Sequence, residues 1–188
     1  MLPNIVEKIG RNTEIIDIPT KLFEKDIITL FGEIDEIVSY EIISQLLYLD
    51  TLDKDENIKL YINSNGGSVV DGLAIIDTMQ FMNRKVDTII VGQAASMGTM
   101  IALSGTGTRK SLKNSRIMLH SVSGGNFGNY HDLKISLQEI EYLQNKLMKM
   151  ISEATKQDLK VIENLLSRDK WFSAQEAKEF KLIDEIII

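Results

Sequence analysis

Apolar residues along this chain follow two alternating rhythms. Short β-branched runs at 27–31, 58–62 and 88–91 have the length and composition of strands. Between them the apolar positions step by three or four. Ile37, Ile42, Ile43, Leu46, Leu47 and Leu49 predict a helix over 37–52, and Leu73, Ile76, Met79 and Phe81 predict one over 69–82. A short helix is expected at 97–104 and a strand at 116–119. Leu133, Leu137, Ile140, Leu143, Leu147 and Ile151 then mark one long amphipathic helix over 132–155. A further helix is predicted at 159–166. Ser173-Ala174-Gln175-Glu176 has the form of a capping box opening a helix that runs to Phe180. Residues 1–20 have no period and hold both prolines, Pro3 and Pro19, so they read as a loosely held N-terminal arm.

Strand and helix succeed one another at short spacing, which predicts an α/β domain with a mainly parallel sheet and right-handed crossovers. No linker, repeat or low-complexity tract divides the chain, so residues 1–188 read as a single domain. In such sheets chemistry gathers at the carboxyl ends of strands. Three predicted ends carry candidate groups: the Gly66-Gly67 turn, Ser96 and His120. Ser96 lies in Ala94-Ala95-Ser96-Met97-Gly98, a strand-to-helix turn that pushes a hydroxyl out of the sheet. The next amide, of Met97, opens a helix and can hold an oxyanion.

Composition narrows the chemistry. There is no Cys and there are only two His, His120 and His131, so a hydrolase here would use a hydroxyl nucleophile and one of two bases. His131, beside Asp132 at a helix start, reads as a surface or capping residue. No metal site is expected, since two histidines about ten residues apart without Cys make a poor zinc site. The net charge of −6 argues against nucleic acid or an anionic membrane as the main partner. No apolar run approaches a membrane span and no signal-peptide core opens the chain, so a cytoplasmic protein is expected, or one in an organelle matrix after loss of a presequence. For the acid that orients the base, Asp169, Asp158 and Asp184 all remain open.

Tyr61-Ile62-Asn63-Ser64, Gly66-Gly67-Ser68, Asp77-Thr78-Met79-Gln80, Ala94-Ala95-Ser96-Met97-Gly98, Met118-x-His120 and Arg168-Asp169-x-x-Phe172 fall in one order. Together they resemble the proteolytic subunit of the Clp (caseinolytic) protease, over nearly the whole chain. The resemblance implies a crotonase-like α/β fold with a protruding helical handle at about 121–155. It implies an ATP-dependent serine endopeptidase of two stacked heptameric rings, with unfolded polypeptides fed to an inner chamber by an AAA+ unfoldase and no cofactor. It carries Ser96 over as nucleophile, His120 as base and Asp169 as orienting acid, with Gly67 and Met97 as oxyanion donors. Gly124 and Gly125 fall in the segment 121–130, which resembles the strand that pairs with substrate. Tyr61, Phe81 and Ile89 resemble positions where unfoldase loops dock.

The chain departs from the family pattern at Asn65, where proline commonly precedes Gly-Gly. It departs at Ser121-Val122, where Gln-Pro is usual, and at Ser167, where an acid is common. These departures suit a divergent paralogue. The charge missing at Ser167 removes one member of an expected ring–ring ion-pair network. Two other classes share many of these features. One is a catalytically weak ring subunit that partners an active, paralogous one. The other is an acyl-CoA enzyme of the same superfamily, which uses a similar pair of backbone donors but needs no Ser96, His120, Asp169 set.

Overall fold

The computed structural model describes residues 3–9, 12–125 and 127–187. The chain opens with an antiparallel hairpin, β1 (Asn4–Ile9) and β2 (Asn12–Asp17), followed by α1 (Ile18–Phe23). Asp17 caps that helix through the Thr20 amide, and Lys21 ties it back to Glu7 at 2.6 Å. The expected aperiodic arm is therefore a hairpin and a turn of helix over its described residues. Backbone pairing, which carries no side-chain rhythm, builds it.

Then follow β3 (Ile27–Ile34), α2 (Glu36–Asp50), β4 (Ile58–Gly67), α3 (Val69–Phe81), β5 (Val86–Ala95) and α4 (Met97–Leu103). After these come β6 (Arg109–Leu112), β7 (Arg116–Leu119), α5 (Tyr130–Thr155), α6 (Leu159–Leu166), β8 (Lys170–Ser173), α7 (Ala174–Glu179) and β9 (Glu185–Ile187). The predicted helices and strands are all present, with ends shifted by a few residues. The capping box on Ser173 and Glu176 forms as the spacing requires. Missing from the sequence reading are β6, β8 and β9, each only three or four residues long.

The sheet runs β3-β4-β5-β6-β9, parallel throughout. It forks at β5. Thr88 to Ile90 pair with β6, while Gln93 to Ala95 pair with β7, also parallel. Gly92, at φ +86°, stands at the fork, and the buried Ser115 hydroxyl donates to the Ile90 carbonyl there. β8 lies antiparallel on β7. Ile58, Leu60, Ile62 and Val86 of the central strands are fully buried against Leu46 of α2 and Ile75, Ile76 and Met79 of α3. Each such side chain is worth about 1.5–3 kcal/mol of burial.

Polar β6 is held by charge rather than apolar pattern. Asp184 accepts from the Arg109 amide and guanidinium, which holds its carboxyl below the usual carboxylate range. At the amino end of the sheet, burial works against ionising Asp26, but Lys54 and Arg84 outweigh it and its carboxyl is also held low.

α5 spans 26 residues, or about 39 Å. Only Leu147, Ile151 and Thr155 of this helix are buried, all in its carboxyl half. Leu133, Ile135 and Leu137 of the amino half are exposed. No helix among the described residues is long and apolar enough to cross a membrane.

Candidate active site

β4 ends at Gly67, β5 at Ala95 and β7 at Leu119, and these three carboxyl ends are neighbours through the fork. These ends meet in one cleft, lined by Gly67, Ser96, Met97 and His120 over an apolar floor that includes Met100 and Leu147. Ser96 Oγ and His120 Nε2 are 2.8 Å apart. With the Nδ1–H tautomer, the hydroxyl donates to an imidazole nitrogen ready to take its proton.

Ser96 has φ +54° and ψ −123°, a backbone conformation side chains rarely adopt. Such a residue stores about 1–3 kcal/mol of strain and persists only where its surroundings over-determine it. Those surroundings are specific. The Ser96 amide donates to the Met118 carbonyl at 3.0 Å. The buried Thr99 hydroxyl lies 2.7 Å from both the Ala94 and Met118 carbonyls and so joins the ends of β5 and β7. Gly66, at φ +97°, lets the end of β4 touch the turn: a Cβ there would meet Ser96 Cβ at 2.7 Å and the Ala95 carbonyl at 2.8 Å. The buried Ser64 hydroxyl accepts from the Gly66 amide and donates to the Gly32 carbonyl of β3. From the sequence the Gly66-Gly67 turn reads as a strand end, but no role falls to Thr99 or Ser64, nor to Gly66 as the point where β4 touches the Ser96 turn. Their types signal only small size, and their importance comes from which strands lie adjacent.

Met97 is the first residue of α4, so the helix leaves its amide without an intrahelical partner. Its side chain is buried beneath α3, where a Cβ on Gly72 would meet it at 2.3 Å. Gly67 has φ +150° and lies so close to β3 that a Cβ would come within 2.2 Å of the Ile34 carbonyl.

The third expected side chain is nearby but not bonded. His120 Nδ1 and Asp169 Oδ1 are 3.9 Å apart, beyond hydrogen-bond reach. Register explains the proximity. The β7–β8 ladder pairs Arg116 with Ser173 and ends with Leu119 opposite Lys170, so His120 and Asp169 face each other one step beyond it. The Asp169 side chain is 68% exposed. Asp184 is committed to Arg109, and Asp158 caps α6 through the Lys160 amide. His131 sits exposed at the start of α5, its ring against Tyr130, and does not line the cleft.

Gly124 and Gly125 lie in an irregular exposed segment, and residues 121–125 form no strand among the described residues. Asn126 of that segment lies outside the described residues. Tyr61 and Ile89 are direct neighbours in the β4–β5 register. Tyr61 is half-buried and Ile89 buried, while Phe81 at the end of α3 is 83% exposed.

A mainly parallel α/β sheet whose strand ends present a strained serine against a histidine has the architecture of a hydrolase. The family model for Clp protease matches residues 10–188, and the chain belongs to that family of peptidases.

Proposed function

We propose that the chain is a serine endopeptidase subunit in which Ser96 attacks the scissile carbonyl while His120 Nε2 takes its proton. The bond from Ser96 Oγ to the carbonyl carbon forms as the C=O π electrons move to oxygen. Gly67 and Met97 amides receive that oxyanion. His120 then returns the proton to the leaving amine, the C–N bond breaks, and an acyl-enzyme remains for water to hydrolyse by the same steps. The observation that carries this reading is the 2.8 Å contact between a strained Ser96 and His120.

Asp169 is the orienting acid in this reading, and its distance from His120 favours a site completed by assembly. Stacked heptameric rings would bury the exposed amino half of α5 and restrain the nearby turn at Asp169. An AAA+ unfoldase docking beside Tyr61, Phe81 and Ile89 would feed unfolded chains to the chamber, with Gly124 and Gly125 pairing substrate backbone. The same gap supports a second reading, a weak subunit that relies on an active, paralogous partner. Fluorophosphonate labelling of the full chain tests the main reading: Ser96 should be the labelled residue and Ser96→Ala should remove the label. Labelling elsewhere, or none in an assembled particle, would overturn it.

A further inference from the structure

β7 stops at Leu119, so His120 and the residues after it leave the sheet with no ladder to hold them. The next regular element is α5, capped at Asn129. Yet the base must keep its nitrogen within hydrogen-bond reach of Ser96. Two hydrogen bonds at the root of the segment supply the restraint. The Ser121 hydroxyl donates to the Leu166 carbonyl at 2.6 Å. The Val122 amide donates to Gln144 Oε1 at 2.7 Å.

Each bond ends on a well-anchored helix. Leu166 is the last residue of α6 and 3% exposed; its carbonyl has no later helical amide to accept from, and Asp169 follows three residues on. Gln144 lies on α5 one turn before the buried Leu147 and lines the cleft together with Val122. Both bonds are made by the dipeptide that departs from Gln-Pro, and a proline at position 122 would have no amide to give.

We infer that Ser121 and Gln144 are positioning residues that clamp the chain leaving His120 between α6 and α5. Ser121 holds the His120 end of the segment to the turn that carries Asp169. Gln144 holds Val122, and with it the start of the substrate-binding segment, to the half of α5 that is buried. Movement of α5 is thereby passed to the chain leaving His120 through the Gln144 side-chain amide, beside the direct contact of Leu147 and Ile151 with the cleft. This inference rests on the serine-peptidase reading for its kinetic consequences, while its structural content can be read without activity.

The test uses the full chain with Ser121→Ala, Ser121→Thr, Gln144→Leu and Gln144→Glu. Ser152→Ala is the control, removing a similar hydroxyl-to-carbonyl bond, to Gln157, away from the cleft. Ser121→Ala should slow acylation of Ser96 by roughly ten- to a hundredfold, the cost of a misplaced catalytic group, and Ser121→Thr should restore it. Gln144→Leu should raise peptide KM more than it lowers kcat, and Gln144→Glu, which keeps the acceptor, should restore KM. Independently of catalysis, Gln144→Leu should speed amide exchange at Val122 roughly tenfold by freeing its donor. Normal exchange at Val122 in folded Gln144→Leu, or unchanged acylation in folded Ser121→Ala, would overturn the clamp. Absence of Ser96 labelling in the unsubstituted chain, with exchange at Val122 still accelerated by Gln144→Leu, would instead overturn the peptidase reading and leave the clamp standing.

Discussion

His120 faces two partners, and the two sides of its ring sit in unlike surroundings. Toward Ser96 everything is enclosed by parallel strands. The turn is pinned by Met118, Thr99, Ser64 and Gly66, and the contact closes at 2.8 Å. Toward Asp169 the ring faces the end of a two-strand antiparallel ladder and a short turn after α6, with the carboxylate 68% exposed and 3.9 Å away. The lesson is mechanical. Strained geometry survives where a core over-determines it, whereas a group on a sheet edge depends on whatever packs against that edge. A single chain therefore builds the Ser96–His120 contact by itself; in the peptidase reading we propose, the orienting acid Asp169 is left to be completed by assembly.

The largest expected effect lies on the enclosed side. Ser96→Ala should reduce peptide hydrolysis by about 10⁴–10⁶-fold, the range found when a nucleophile acting with a base is removed. Sedimentation should show unchanged assembly, and residual activity above a tenth would break the assignment. Gly66→Ala should follow. Its new Cβ would meet Ser96 Cβ and the Ala95 carbonyl under 3 Å, so the turn must shift. About a hundredfold loss of kcat is expected from such misplacement, with circular dichroism showing the sheet retained.

The open side gives a sharper contrast. If assembly closes the His120–Asp169 gap, Asp169→Asn should cost about 10⁴-fold in kcat in the assembled particle, and little in isolated protomers. An equal, small effect in both states would show that Asp169 never orients His120. Ser167→Asp, which restores a charge two residues away, should shift sedimentation toward double rings and raise basal peptidase rate. A stable fourteen-subunit particle unaffected by that change would remove Ser167 from the argument.

The smallest effect concerns the frame alone. Hydrogen bonds from Arg109 hold the Asp184 carboxyl low; burial opposes ionisation of Asp26, but Lys54 and Arg84 hold it low as well. A carboxyl depressed in the folded state adds stability that is present above its unfolded pKa, about 3.9, and is lost as pH falls through the folded value. Tm measured from pH 6 downward should therefore start to fall near pH 4 and keep falling below it. Asp184→Asn should flatten part of that slope.

The apolar rhythm placed every long element, because a period of three to four over many turns is hard to mistake. The short ones escaped for physical reasons. β6 reads Arg109-Lys110-Ser111-Leu112, with no alternation, and is held by Asp184 and Asp87 from distant parts of the chain. β8 is four residues long, and its pairing with β7 is what sets Asp169 opposite His120. Within the candidate site, Ser96 and His120 could be read from their places after apolar runs and from the shortage of other candidates. Thr99 and Ser64 could not, and Gly66 showed only as part of a turn, since a small residue near a strand end is common and its role depends on its neighbour.

By itself, then, the sequence determined the α/β class, the long helix, the short list of hydroxyl and imidazole groups and, through ordered motifs, the Clp protease family. Local periodicity and residue type suffice for these, because they are properties of contiguous chain. Only the tertiary structure decided that the sheet forks at Gly92, bringing three strand ends into one cleft, and that Ser96 is held at φ +54°. Residue types left Asp169, Asp158 and Asp184 open and the family resemblance favoured Asp169; in the structure Asp169 stands beside His120, while Asp158 caps α6 and Asp184 pairs with Arg109. Strand order and register are set by contacts between residues far apart in the chain, and no local pattern records which strands will become neighbours.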